Sequence, residues 1–132
     1  MPDINWLAAL VAAVAAFAAG SLWYSPLLFS KMWQKEVGMS DEDWQGGSVA
    51  RTMISAFLLM LIAAIVLAMF LRRPASAVYG LSYGFHIGLF FVATMTGVHY
   101  IFERRSLKLW FINAGYSTLV FTIMGGVIGA FP

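Results

Sequence analysis

The chain has 132 residues, of which 61% are hydrophobic and only 11% charged; eight basic and six acidic side chains give a formal net charge of +2, and there is no cysteine. A soluble domain carries about 25% charge, so these few charges could not cover a soluble surface of this size, whereas a lipid-facing surface needs none. The missing cysteines exclude disulfides, thiolate metal sites and Cys nucleophiles, and the low net charge with scattered basic residues excludes nucleic acid as a partner.

Four apolar segments follow in chain order. The first, residues 4–23, has the core LAALVAAVAAFAAG. About 20 residues at ~1.5 Å rise span a ~30 Å hydrocarbon layer. No Lys or Arg precedes it and Asp3 is its only flanking charge, so a retained helix is expected rather than a cleaved signal peptide. Trp6 at one end, with Trp23 and Tyr24 at the other, fit the interfacial aromatic belt.

Pro26 then breaks the chain, and residues 27–48 form an interfacial or cytoplasmic segment. Phe29, Met32, Trp33 and Val37 recur at helical spacing opposite Ser30, Lys31, Gln34 and Lys35. This predicts a short amphipathic helix, either lying in the interface or packed on the bundle. Ser40 with Asp41, Glu42 and Asp43 reads as a helix start, because a hydroxyl caps the first N–H groups and acids favour the positive end of the helix dipole.

The second segment, 49–71, is a plain span; from Met53 to Leu71 its only polar side chain is Ser55. Arg72, Arg73 and Pro74 end it. The third covers 75–102, Glu103–Ser106 form a turn, and the fourth covers 107–131. Short turns predict antiparallel neighbours, and four crossings put both termini on one side. Lys31, Lys35, Arg51, Arg104, Arg105 and Lys108 flank one face, against Arg72 and Arg73 on the other. The positive-inside rule then places the larger group in the cytoplasm and both termini in the periplasm.

Intramembrane polarity concentrates in the last two segments. On segment three, Gly80, Gly84 and Gly88 form a small-residue stripe that lets backbones approach closely, within one chain or between chains. A second stripe holds Tyr79, Ser82, Tyr83, His86, Phe90 and Gly97. An imidazole in hydrocarbon needs a partner. His86 is therefore a hydrogen-bonded neutral group, a member of a polar path, or a ligand completed by another helix. His86 and His99 are too far apart on one helix to share a metal. His99 beside Tyr100 reads as an interfacial residue.

Glu103 reads as a local ion-pair partner of the arginines, and the basic residues near it as a phosphate or lipid-headgroup contact in the sharper reading. On segment four, Asn113 and Ser117 share a face near Tyr116, while Thr118, Thr122, Gly125 and Gly129 form a second small-residue stripe. The hydroxyls can bond backbone one turn back, but the Asn113 amide has donors and an acceptor to place, and a contact with Tyr83 and His86 is the expectation. The candidate polar cluster is therefore Tyr83, His86, Asn113, Tyr116 and Ser117. No carboxylate lies inside any segment, which argues against proton-driven efflux, and no catalytic constellation, cofactor motif or metal motif is present.

Two blocks carry a family resemblance. Ile4-Asn5-Trp6-Leu7 with Leu22-Trp23-Tyr24-Ser25-Pro26-Leu27-Leu28-Phe29, Lys31 and Trp33 form the first. Tyr100-Ile101-Phe102-Glu103, Ser106-Leu107-Lys108-Leu109 and Ile112-Asn113-Ala114-Gly115-Tyr116 form the second. Together they resemble the domain-of-unknown-function 1761 family over essentially the whole chain. The resemblance implies a small bacterial membrane protein of about four helices and no particular activity. In that pattern a small residue often follows the Glu, where this chain has Arg104. An Asn often stands at His99, and a His often stands at Ser117. The resemblance therefore favours Asn5, Trp23, Tyr24, Ser25, Pro26, Glu103, Asn113 and Tyr116 as motif residues over His99 and Ser117.

The expected fold is an all-α integral membrane bundle of four transmembrane helices with a short interfacial helix after the first, forming one domain over 1–132. The expected role is that of a structural or accessory subunit in the bacterial inner membrane, non-enzymatic and without a cofactor. Its expected partners are the lipid bilayer and either copies of itself or a larger membrane complex. The alternative is a small oligomeric channel or transporter with a polar path through helices three and four.

Overall fold

Four helices among the described residues of the computed structural model are long and apolar enough to cross a membrane: Trp6–Trp23, Val49–Phe70, Ala77–Glu103 and Leu107–Ala130. The structure describes residues 4–71 and 76–132, so Asp3, Arg72, Arg73, Pro74 and the expected start of segment three at Ala75 lie outside the described residues. In chain order the elements are α1 (Trp6–Trp23), α2 (Ser30–Val37), α3 (Asp41–Gln45), α4 (Val49–Phe70), α5 (Ala77–Ile87), a π-helical turn (Gly88–Ala93), α6 (Thr94–Glu103) and α7 (Leu107–Ala130). The fold is thus an all-α bundle of four apolar helices, with the short helix α2 after the first.

Side-chain caps set most of the helix starts. Asn5, Ser40, Ser48, Ser76 and Ser106 each accept a hydrogen bond from a backbone N–H three residues on, satisfying donors that a helix leaves unpaired. At α3 the box is reciprocal: the Asp43 carboxylate accepts from the Ser40 backbone N–H at 3.0 Å, and this bond with the Ser40 hydroxyl holds its carboxyl below the ordinary value. At the end of α6, Arg104 takes the left-handed conformation, φ 60° and ψ 33°, and the Arg105 N–H returns to the Tyr100 carbonyl at 2.9 Å. A residue with a Cβ is strained there, which gives a physical reason for a small residue after the Glu.

The helices sort their faces by size rather than polarity. On α1, Ala8, Ala9, Ala12, Ala13 and Ala16 are buried, while Leu7, Leu10 and Val14 point outward. The alanine face meets Ala64, Leu67, Ala68 and Leu71 from α4 and Val120, Met124 and Ile128 from α7. Lipid is as apolar as leucine, so burial itself gives little driving force; small side chains bring backbones close, and dispersion does the rest.

The closest approach is between α5 and α7. A Cβ on Gly80 would collide with the Gly125 carbonyl, one on Gly84 with the Phe121 carbonyl, and one on Gly129 with the Ser76 carbonyl. At Gly88 it would lie 2.7 Å from the Thr118 Cα. The two small-residue stripes expected from the sequence face each other within one chain, antiparallel, in four-residue steps.

Two sequence expectations change. Successive spans were expected to be neighbours, but α4 packs on α1 and on the C-terminal part of α7, with no extended packing against α5. A straight helix would also put Gly97 on the His86 face. The π turn adds one residue to the count, so the buried stripe runs Gly80, Gly84, Gly88, then Ala93, and Gly97 comes to face Trp110.

Gly84→Val is expected to destabilise the bundle by about 3 kcal/mol or more. Leu59→Val on the outward face is expected to change stability by under about 0.5 kcal/mol. Thermal unfolding in mild detergent checks both, and equal tolerance would remove the glycine seam as the packing determinant. Arg104→Gly should be about 1 kcal/mol more stable than Arg104→Ala in the same assay, because glycine adopts positive φ without strain.

Candidate functional site

At one end of the bundle the helices separate. Residues 49–56 of α4 are all exposed, whereas the other end of the helix carries the buried Ala64, Leu67 and Ala68. The splay leaves a cavity of about 770 Å³ between α1, α4, α6 and α7, with residues of α2 and α3 lining its outer end. Its deepest lining residue on α7, Ser117, is ten residues from the start of that helix, roughly 15 Å along it and so about halfway through a hydrocarbon layer.

A chain of hydrogen bonds crosses the cavity wall. The Tyr24 phenol donates to Asn113 Oδ1 at 2.5 Å, and Asn113 Nδ2 donates to the Tyr100 phenol oxygen at 2.6 Å. Tyr116 packs edge-on to Tyr24 at 5.0 Å between ring centroids, and Trp33 from α2 sits over Tyr24 at 6.0 Å. Tyr116 fits only because Gly20 lacks a Cβ, which would lie 2.7 Å from the ring.

Local structure holds these side chains in place. Trp23 donates its indole N–H to the Ile112 carbonyl at 3.0 Å and lies against Gly115, so consecutive residues Trp23 and Tyr24 read consecutive residues Ile112 and Asn113. The π turn brings α6 into register. Trp110 donates to the Ala93 carbonyl at 2.9 Å, while Thr94 and Thr96 donate to the carbonyls of Phe90 and Val92. These bonds supply donors where a wide turn disrupts the α-helical ladder. The rotation places Thr96 and Tyr100 on the cavity. The α2–α3 cap is fastened by Gln34 Nε2 donating to Asp41 at 2.6 Å, and by Ser106 donating to Glu36 at 2.7 Å.

The expected polar cluster is divided. Asn113, Tyr116 and Ser117 line the cavity. His86 is exposed, with its Nδ1–H donated to the Ser82 carbonyl at 2.6 Å and its ring between Phe85 and Phe90. Tyr83 packs against the core and stacks near Tyr79. The Asn113 amide bonds Tyr24 and Tyr100 instead of Tyr83 and His86, because α5 turns its glycine face, not its His86 face, toward α7. Thr118 and Thr122 donate to carbonyls one turn back, as their hydroxyls allow.

Of the motif residues, Tyr24, Asn113 and Tyr116 gather at the cavity, and Trp23 lies behind its wall, bonded to the Ile112 carbonyl. Ser25 bonds the Leu22 carbonyl at 2.7 Å, and Pro26 is exposed in the following turn. Asn5 caps α1 at the opposite end, and Glu103 pairs with Arg105 at 3.7 Å on the surface. Tyr100 and Trp33 were not singled out as site residues. The spacing of Ala93, Thr96 and Tyr100 on one helical face was the available signal for Tyr100; Trp33 had only its place in an amphipathic stripe. Among the described residues no three His, Asp or Glu side chains converge as a metal group would. The lining offers phenol, amide, hydroxyl and indole groups on apolar walls, a set suited to holding a small polar molecule.

Fold and site together define a multi-pass membrane protein with a hydrogen-bonded cavity opening toward one end of a four-helix bundle. The chain belongs to the family described as Protein of unknown function (DUF1761), whose model matches residues 7–129. Comparisons with curated proteins and with solved structures give no match.

A double-mutant cycle tests the network. Tyr24→Phe and Asn113→Ala should each lower stability by about 1–2 kcal/mol, and their combined loss should fall short of the sum by about 1 kcal/mol. His86→Leu should leave the unfolding temperature within a degree or two, as expected for an exposed position.

Proposed function

We propose that this protein binds a small amphiphilic molecule drawn from the bilayer, and that the cavity between α1, α4, α6 and α7 is its site. The observation that carries this reading is the size and position of that cavity: about 770 Å³, mixed in polarity, and reaching from the capped end toward mid-bilayer. Drug-sized ligands occupy clefts of roughly 300–1,000 Å³ with apolar walls and a few convergent polar groups. α4 and α6 share no extended contact, which would allow a molecule to enter between them from lipid.

The small-residue stripes on α5 and α7 are occupied by each other, and the alanines of α1 by α4 and α7. They are therefore not free to join copies or partners, which moves the accessory-subunit role to second place. One observation still favours that role. The α4 end at 49–56 is exposed on every side and includes Val49, Met53 and Ile54, a helix surface that a partner helix would cover. The reading is of binding, alone or as one step of transport, rather than catalysis.

Lys31, Lys35, Arg51, Arg104, Arg105 and Lys108 belong to α2, the start of α4, the α6–α7 turn and the start of α7, all at the capped end. By the positive-inside rule the cap faces the cytoplasm of a bacterial inner membrane and the termini face the periplasm.

Native mass spectrometry of protein released from membranes in mild detergent tests the reading. A bound molecule of a few hundred daltons is expected, and Ala56→Trp, which fills the cavity from its α4 wall, should remove it. A protein assembly indifferent to Ala56→Trp, with no small-molecule adduct, would sink the binding reading in favour of the accessory one.

A further inference from the structure

The cavity's hydrogen bonds run in one direction, and that direction specifies what it can hold. An amide oxygen only accepts and an amide nitrogen only donates, so the chain must read Tyr24 to Asn113 to Tyr100. The Tyr100 oxygen is used as an acceptor, and its own hydrogen has no acceptor among the described residues. The second N–H of Asn113, the Tyr116 phenol and the Trp33 indole N–H are unspent in the same way; their only described interactions are the bond of Asn113 and the ring contacts of Tyr116 and Trp33.

The smaller hydroxyls differ. Ser21, Thr96 and Ser117 donate to the carbonyls of Phe17, Val92 and Asn113, so their hydrogens are already committed. Their oxygens can still accept, but an under-used oxygen is tolerated more readily than an orphaned N–H or O–H. The unspent donors are therefore the groups with most to gain from a ligand. Charge sharpens the choice. Among the described residues no Lys, Arg or His lines the cavity, and Asp41 at the cap is the one charged residue in its lining. An anion would lose its hydration without a counter-charge, and a cation would meet only neutral hydroxyl oxygens, with no carboxylate, deep in the site. The walls add flat apolar area from Phe17, Trp33 and Trp44.

Resting on the reading of this cavity as a binding site, we propose that its ligand is a neutral aromatic carbonyl compound. Its oxygen accepts from Tyr100, Tyr116 or Asn113, and its ring lies against the tryptophans of the cap. The selectivity lies in the carbonyl oxygen, not in the hydrocarbon body.

Benzophenone and diphenylmethane share a two-ring frame and differ in the carbonyl, so they separate acceptor recognition from simple partitioning. Equilibrium dialysis of both against protein in nanodiscs, with empty nanodiscs subtracted, reads the difference. Benzophenone should bind about tenfold more tightly, and Tyr100→Phe or Tyr116→Phe should remove most of that preference, as expected for one lost hydrogen bond, whereas a preference kept in both would overturn the phenols as donors. Tyr116→Phe, whose phenol makes no protein hydrogen bond, gives the same readout with folding undisturbed. Equal binding of the two probes, unchanged in both Phe variants and abolished by Ala56→Trp, would overturn the acceptor assignment while leaving the cavity as a binding site. No binding of either probe above empty nanodiscs would overturn both.

Discussion

The backbone contact between α5 and α7 is the constraint on which the rest of the bundle depends. Gly80, Gly84, Gly125 and Gly129 bring carbonyls and α-carbons of two antiparallel helices together where any side chain would intrude. In water such a seam would gain little over a leucine interface. In lipid, where apolar burial gives almost no driving force, close approach is the way to gain dispersion energy, and glycine is the residue that permits it. The same rule shapes α1, whose alanines are buried while its leucines face outward. The closest helix–helix approaches in this protein are therefore made by its smallest residues.

A tight seam at one end of a bundle allows looseness elsewhere. α4 follows the alanines of α1 at one end and diverges at the other, past the edge-on contact of Phe17 with Phe57. The space it opens is where polar groups are found. Tyr24, Tyr100, Asn113 and Tyr116 come from three helices, and each is placed by a packing device: Trp23 against Gly115, the π turn held by Trp110, and Gly20 beneath Tyr116. Buried polar networks are costly unless satisfied. This one joins Tyr24, Asn113 and Tyr100 and leaves the Tyr100 hydroxyl hydrogen without a protein acceptor among the described residues, where the proposed ligand would meet it.

His86 and Gly97 show where sequence reasoning reached its limit. Both were assigned to one stripe by counting 3.6 residues per turn. That count fails across residues 88–93, where one wider turn rotates everything after it. Nothing in the local sequence GLFFVA announces the change. It is stabilised by Trp110, which is distant in sequence, and by hydroxyls that a helix could equally have used for ordinary back-bonding. His86 drew attention because polar groups in apolar segments need explanation. Its explanation is a bond to a carbonyl one turn back on an exposed face, which is local and was available on any straight helix.

What the sequence determined by itself was the solvent, the number of spans, the amphipathic cap helix and the small-residue faces. Each follows from composition or short-range periodicity, which a chain carries wherever its helices are docked. What only the tertiary structure decided was the pairing: glycine stripe to glycine stripe, Trp-Tyr to Ile-Asn, and the partners of Asn113. Those contacts join residues up to 89 positions apart. They depend on which helix faces touch and at what register, and that is set by the three-dimensional fit of small residues rather than by any one segment's own pattern.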